Sequence, residues 1–219
     1  MKKETGMGVP AIIPFKPGNP KTRLSCVLSL EEREAFARAM LCDVVDAVCR
    51  AGCSPRVVST ALFAFPRCPV EVVPHGLNET LNEILSVTDG PVLIIMADLP
   101  LADAASIGRV VTSSRDIAVV PGRGGGTNAI YLTRGNSFRV DYYGASFLKH
   151  RRIAEERGLS CEVVDTFRLH TDVDEKEDLV ELLIHGEGMS RQFLVDHGFE
   201  LSVEKGRVGV TRRSPARQV

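Results

Sequence analysis
The chain has 219 residues, 44% of them hydrophobic and 25% charged, which provides enough apolar material for a packed core and excludes a largely disordered chain. Its 27 basic and 28 acidic side chains leave a formal net charge of −1, without the basic excess of a nucleic-acid-binding domain. The longest strongly apolar run, residues 91–97, is far shorter than the ~20 residues of a membrane-spanning helix. No apolar stretch of signal-peptide type follows Met1, so the expectation is a cytoplasmic chain with no membrane partner.

Residues 9–15, ending Ile12-Ile13-Pro14-Phe15, read as a buried first strand. A loop rich in Pro, Lys and Gly follows over 16–25. Ser29 stands three residues before Glu32, a capping box, and Phe36, Met40, Val44 and Val48 then mark one helix face up to Gly52. Residues 56–60 and 70–73 predict strands, and 77–85 a short helix. The continuous apolar run at 91–97 predicts a strand buried on both faces of a parallel sheet. Residues 117–120 and 129–132 read as strands on either side of a Gly-rich turn. A helix over 145–157, a strand over 161–164, a helix over 174–184 and a helical turn or two over 191–196 follow. The runs around Lys205-Gly206 read as a hairpin over 199–211. Strand–helix alternation predicts an α/β three-layer sandwich with a mostly parallel central sheet. It is read as one domain over 1–211, with a flexible tail over 212–219. The six cysteines, at 26, 42, 49, 53, 68 and 161, read as reduced thiols in or near the core.

Ligands of open α/β sheets bind beyond the carboxyl ends of strands, which singles out four places. The loop after Phe15 carries Lys16, Lys21 and Arg23, three cations in eight residues, suited to a polyphosphate or to a solvated basic turn. Asp98, after the apolar run, is a carboxylate held at a strand end that calls for a cation, or else a turn aspartate before Pro100. Gly124-Gly125-Gly126-Thr127-Asn128 can wrap an anion or form a hairpin turn. It does not open a helix, which argues against a dinucleotide-binding site. Asp172 and Asp174 alternate along an extended segment and so point to opposite faces. Asp174 also has the position of a helix N-cap, which keeps Asp172 as the competing ligand. His75 and His150 read as surface or structural, and Arg151 and Arg152 as a solvated face.

The segments Ile12-Ile13-Pro14-Phe15-Lys16, Lys21-Thr22-Arg23-Leu24-Ser25, Met96-Ala97-Asp98-Leu99-Pro100-Leu101, Pro121 to Asn128, Tyr143-Gly144-Ala145-Ser146-Phe147 and Asp172-Val173-Asp174 occur in one order across residues 8–185. As an ordered set they resemble the 2-phospho-L-lactate guanylyltransferase family of coenzyme F420 biosynthesis, archaeal type. The resemblance implies a nucleotide-diphospho-sugar transferase fold of the glycosyltransferase-A type. It also implies transfer of GMP from GTP to (2S)-2-phospholactate, giving lactyl-2-diphospho-5′-guanosine and pyrophosphate. Bacterial relatives use phosphoenolpyruvate, so the same chemistry with that acceptor is the alternative for this chain, as is a nucleotidyltransferase with another acceptor such as a molybdopterin or cobinamide phosphate. A regulatory subunit without catalysis is the rival of a different class.

Carried over residue by residue, Mg²⁺ would sit on Asp98 and Asp174 or Asp172, with Lys16, Lys21 and Arg23 against the phosphates. Ile12, Pro14 and Asn78 would contact GTP, although Asn78 also suits a helix N-cap. Thr127, Gly144 and Ser146 would hold the acceptor. Two departures stand out. A Pro/Lys loop replaces the wider superfamily's Gly-rich one, and Asp174-Glu175-Lys176-Glu177-Asp178 replaces Asp-Thr-Pro-Glu-Asp. The expected partners are the two substrates, a second copy meeting at the hairpin, and the next transferase of the pathway, which consumes the product.

Overall fold
The computed structural model describes residues 8–204 and 206–213. Strands β1 (Pro10–Phe15), β2 (Ser54–Ser59), β3 (Val70–Val72), β4 (Val92–Ile95), β5 (Ile117–Pro121), β6 (Thr127–Leu132) and β7 (Cys161–Val163) form one sheet in the order β3-β2-β1-β4-β6-β5-β7. Every pairing is parallel except those of β6, which runs antiparallel to both β4 and β5. The Gly-rich segment is therefore a hairpin turn that also lies at the sheet's carboxyl end.

Side chains alternate across this sheet with period two. Ala11, Ile13, Leu93, Ile95, Ala118, Val120, Ala129 and Tyr131 enter one core layer. Ile12, Val92, Ile94, Ile117, Val119, Ile130 and Leu132 enter the other. The first layer is closed by α1 (Leu30–Arg50), α3 (Ala104–Val111), α5 (Phe167–His170), α6 (Leu179–His185) and α7 (Met189–Asp196), and the second by α2 (Leu77–Ser86) and α4 (Ser146–Glu156). The three layers and the mostly parallel sheet follow the sequence expectation.

The capping box at Ser29 is present, with Glu32 N–H donating to Ser29 Oγ at 3.2 Å and Ser29 N–H to Glu32 Oε2 at 2.8 Å. Helix α3 has no counterpart in the sequence reading. It is opened by Asp103, whose carboxylate accepts from Ser106 N–H at 2.7 Å. The hairpin β8 (Phe199–Glu204) and β9 (Arg207–Arg212) forms a separate two-stranded sheet. Arg212, placed by sequence in the tail, instead ends β9. Its guanidinium pairs with Glu32, holding that carboxyl near 2 and tying the hairpin to the start of α1. Lys205 and residues 214–219 lie outside the described residues. All six cysteines are free, with Cys53 buried but Cys26, Cys49 and Cys161 exposed rather than packed. No described helix is long and apolar enough to cross a membrane.

Asp43 joins α1 to α7. Its carboxylate accepts from Met189 N–H at 2.6 Å, Ser190 N–H at 2.9 Å and Ser190 Oγ at 2.5 Å. A Cβ on Gly188 would fall 2.3 Å from Asp43 Oδ1, so this junction needs glycine there. Asp43→Ala strips the N-terminus of α7 of its acceptor. An expected loss of about 1–3 kcal/mol would be read as a lower urea midpoint at unchanged slope.

Candidate active site
The loop leaving β1 is held in an uncommon shape. Asn19 and Lys21, neither a glycine, have φ of 46° and 50°, each a strain of about 1–3 kcal/mol. Arg33 of α1 offsets it by donating from Nη1 to Asn19 Oδ1 at 2.9 Å and to the Pro20 carbonyl at 2.6 Å. The short 3₁₀ turn Thr22–Cys26 then buries Leu24. This geometry turns Lys21 inward.

Lys21 Nζ donates to Asp98 Oδ2 at 2.7 Å and to Asp174 Oδ1 at 2.5 Å. Burial pulls the Lys21 pKa down, but the two carboxylates outweigh it and hold it above 10.5. Asp98 follows β4, and its carbonyl accepts from Val173 N–H at 3.0 Å, bringing the two acidic segments together. Asp98 Oδ1 is buried and has no hydrogen-bond partner among the described residues.

Asp174 is not an N-cap. The 3₁₀ turn Lys176–Asp178 is capped by Glu175, and the Asp174 and Glu175 N–H groups donate to Asp178 Oδ2 at 2.9 and 2.8 Å. Asp178 in turn pairs with Arg123. Asp174 is thus left for Lys21 and the open site. Asp172 is turned elsewhere: its Oδ1 accepts from Arg123 N–H at 3.3 Å and Asn128 Nδ2 at 3.4 Å. Burial, then the charge of Asp98, pushes the Asp172 carboxyl up. The two aspartates therefore have separate partners, Lys21 for Asp174 and Arg123 with Asn128 for Asp172.

Asn128 also holds the carbonyls of Leu169 at 2.8 Å and His170 at 3.2 Å. Its side chain lies where a Cβ on Gly122 would fall, 2.2 Å from Asn128 Oδ1. Arg123, Asn128 and Asp178 were not among the sequence candidates as supports of the acidic segment. For Arg123 and Asn128, their position flanking the Gly-rich turn was the available signal; for Asp178 there was none.

Thr127, Ser146 and Gly144 do meet. Ser146 Oγ lies 3.2 Å from Thr127 Oγ1, and Gly144 turns the chain just before them with φ +65°. Thr127 Oγ1 is also 2.9 Å from His150 Nδ1. His150 is fully buried, the structural side of its surface-or-structural reading; its spacing of four from Ser146 on α4 was the clue. Burial pushes its pKa down to about 4. The unfolded chain therefore takes up this proton first as pH falls. The stability His150 confers is complete above about 6.5 and is lost on acidification through about 4. Wild type should lose roughly 3 kcal/mol more than His150→Asn between pH 7.5 and 4, measured by urea titrations at both pH values.

The remaining candidates are placed as follows. Pro14, Lys16, Lys21, Arg23, Asp98 and Asp174 line one cavity of about 410 Å³. Lys16 and Pro14 also border a second cavity of about 330 Å³, with Val73, His75 and Leu77 beyond. Arg23 is exposed and pairs with Glu175 at 3.1 Å. The Ile12 side chain is in the core, and its backbone lies between β2 and β4, which leaves it no ligand-facing group. Asn78 does not cap α2, because Gly76 holds that position. Its Oδ1 accepts from Tyr142 N–H at 2.8 Å and its Nδ2 donates to Asp141 Oδ1 at 3.4 Å, which ties the amide to the 141–142 segment.

No group of three or more His, Cys, Asp or Glu side chains among the described residues is arranged to hold a metal. The pair Asp98 and Asp174 nevertheless fits a hard divalent cation. Both are oxygen donors, one buried oxygen is unpartnered, and the gap between them already takes an ammonium. Mg²⁺ in nucleotide enzymes characteristically uses one or two carboxylates and completes its shell with phosphates and water.

Solved structures of similar fold include a protein of Desulfovibrio desulfuricans G20 assigned as a nucleotide-diphospho-sugar transferase. Its TM-score is 0.69 at 14% identity, covering 86% of this chain and 94% of that one. A nucleotidyl transferase from a Methanothermobacter species has a TM-score of 0.57 at 13% identity, covering 87% and 100%. The fold is that of these transferases, and the class, a nucleotidyltransferase, comes from the family and its curated relatives. The family model described as guanylyl transferase CofC like matches residues 9–214, and the chain belongs to that family. The 2-phospho-L-lactate guanylyltransferase of Methanoregula boonei is 61% identical over 202 residues, 92% of this chain and 94% of the relative. That of Methanosphaerula palustris is 56% identical over 205 residues, 94% and 98%.

Proposed function
We propose that this chain transfers GMP from GTP to (2S)-2-phospholactate, releasing pyrophosphate and forming lactyl-2-diphospho-5′-guanosine for coenzyme F420 biosynthesis. The observation that carries the reading is the Lys21 ammonium in contact with Asp98 and Asp174 at the mouth of the larger cavity. The family and its relatives supply the identity of donor and acceptor.

An acceptor phosphate oxygen attacks the α-phosphorus of GTP. The bond from that phosphorus to the bridging oxygen breaks, and pyrophosphate leaves. The phosphate is already a nucleophile, so no strong base is needed; the barrier lies in bringing two anions together in line. Mg²⁺ held by Asp98 and Asp174 would supply charge neutralisation at the α-phosphate. Lys16, Lys21 and Arg23 offset charge on the β- and γ-phosphates in the larger cavity. The smaller, mainly apolar cavity bordered by Val73, His75 and Leu77 suits the nucleoside. Thr127 and Ser146 hold the acceptor. Helix α4 has no side-chain cap at Ala145; its Ser146 N–H donates to the Gly144 carbonyl at 2.8 Å, which leaves the Phe147 and Leu148 N–H groups for an anion.

The setting is the cytoplasm, as a homodimer joined at the hairpin, with the product passed to the next transferase. The test is pyrophosphate release from GTP and Mg²⁺ with phospholactate, run beside phosphoenolpyruvate and with ATP and CTP as controls. Release with GTP and phospholactate above all other pairs is expected. No release with phospholactate overturns the reading.

A further inference from the structure
We infer that His150 is a positioning residue that leaves one hydroxyl proton of the Thr127–Ser146 pair free for an anionic oxygen of the acceptor. The inference rests on the placement of the acceptor at that pair and adds a residue that never touches it.

Asp141 N–H lies 2.9 Å from His150 Nε2, and a backbone N–H can only donate. Nε2 must therefore be bare. A neutral imidazole has one N–H, which then sits on Nδ1, 2.9 Å from Thr127 Oγ1. The histidine donates and the hydroxyl accepts.

Thr127 and Ser146 bring two protons of their own to an oxygen–oxygen contact of 3.2 Å, which uses one of them. Whichever hydroxyl gives its proton to the other, one proton remains. The described hydrogen bonds assign no acceptor to it. Thr127 is 4% exposed and Ser146 1%, so the hydroxyls offer an incoming oxygen only a narrow approach. The nearby turns at Gly124–Gly126 and Gly144 bring backbone without side-chain bulk. The pair thus presents a directed donor, suited to a carboxylate or phosphate oxygen.

The opposite tautomer would reverse this. A bare Nδ1 would take a proton from Thr127, leaving both hydroxyl protons spent and a lone pair facing the anion. The supports of the observed tautomer are built in. Asp141 is fixed by Lys149 Nζ at 2.8 Å and by Tyr143 N–H at 3.2 Å. The imidazole is packed edge-on against Tyr142, with ring centroids 4.9 Å apart.

The test compares His150→Asn, whose amide N–H can replace Nδ1–H, with His150→Leu, which offers no donor. Steady-state pyrophosphate release is measured against acceptor and against GTP. Expected for His150→Leu is a rise of roughly tenfold in acceptor KM with GTP KM within twofold, and for His150→Asn an acceptor KM within about threefold of wild type. An unchanged acceptor KM in His150→Leu, or equal rises in both KM values in both variants, overturns the proposal. Should His150→Leu fail to fold, ¹⁵N shifts of the imidazole in the wild-type enzyme decide. Nδ1–H supports the proposal and Nε2–H overturns it. Absence of transfer by wild type itself would instead overturn the functional reading on which the proposal rests.

Discussion
Asp98→Asn is expected to lower kcat for nucleotidyl transfer by about 10³-fold while leaving a folded protein. The side chain keeps its volume and one oxygen but loses the charge that meets Lys21 and, in the proposed mechanism, Mg²⁺. Raising Mg²⁺ should recover little, because a neutral amide is a poor ligand for a hard cation. Pyrophosphate release at saturating GTP and acceptor is the measurement, with a thermal melt to confirm folding. Wild-type turnover in this variant would remove Asp98 from the chemistry.

Lys21→Met carries the second large effect, and it acts on both activity and stability. The variant leaves Asp98 and Asp174 facing the same gap with no cation between them. Both are partly solvated, at 29% and 40% side-chain exposure, so screening reduces the penalty to about 1–3 kcal/mol. In wild type the raised Lys21 pKa sets the alkaline limit of this contribution. Its stabilisation is complete below 10.5 and disappears as pH rises through the higher folded value. For activity, kcat/KM for GTP should fall by about 10²-fold or more. A variant with wild-type stability at pH 8 and unchanged GTP dependence would refute both roles.

Much of this architecture is legible from residue patterns because local chemistry writes it there. Ser29 with Glu32 announces α1, and four consecutive apolar residues, Val92 to Ile95, announce a strand with two covered faces. Strand direction has no such signature. The period of two in β6 is the same whether the strand runs up or down, so only the turn at Gly124–Gly126 hinted at the reversal. Helix α3 escaped because it has eight residues and a capping box closed by Ser106 rather than Glu. The candidate site was legible as residue types, not as partnerships. Lys21 reads as a phosphate cation in a basic loop. That it reaches two aspartates 77 and 153 residues away depends on the left-handed backbone that Arg33 stabilises. The Asp174 cap was a sound local inference that Asp178, four residues on, displaced.

The span of that three-residue contact also bears on how the enzyme comes into being. Lys21 leaves the ribosome 153 residues ahead of Asp174, an interval of about eight to thirty seconds at typical rates of synthesis. Throughout it, the basic loop exists without the carboxylate that completes the site. Contacts of such long sequence separation form late in refolding too, because loop closure must precede them. Recovery of GTP turnover after dilution from denaturant should follow the slowest folding phase, and truncated or nascent chains should remain catalytically silent until the last third of the polypeptide has docked.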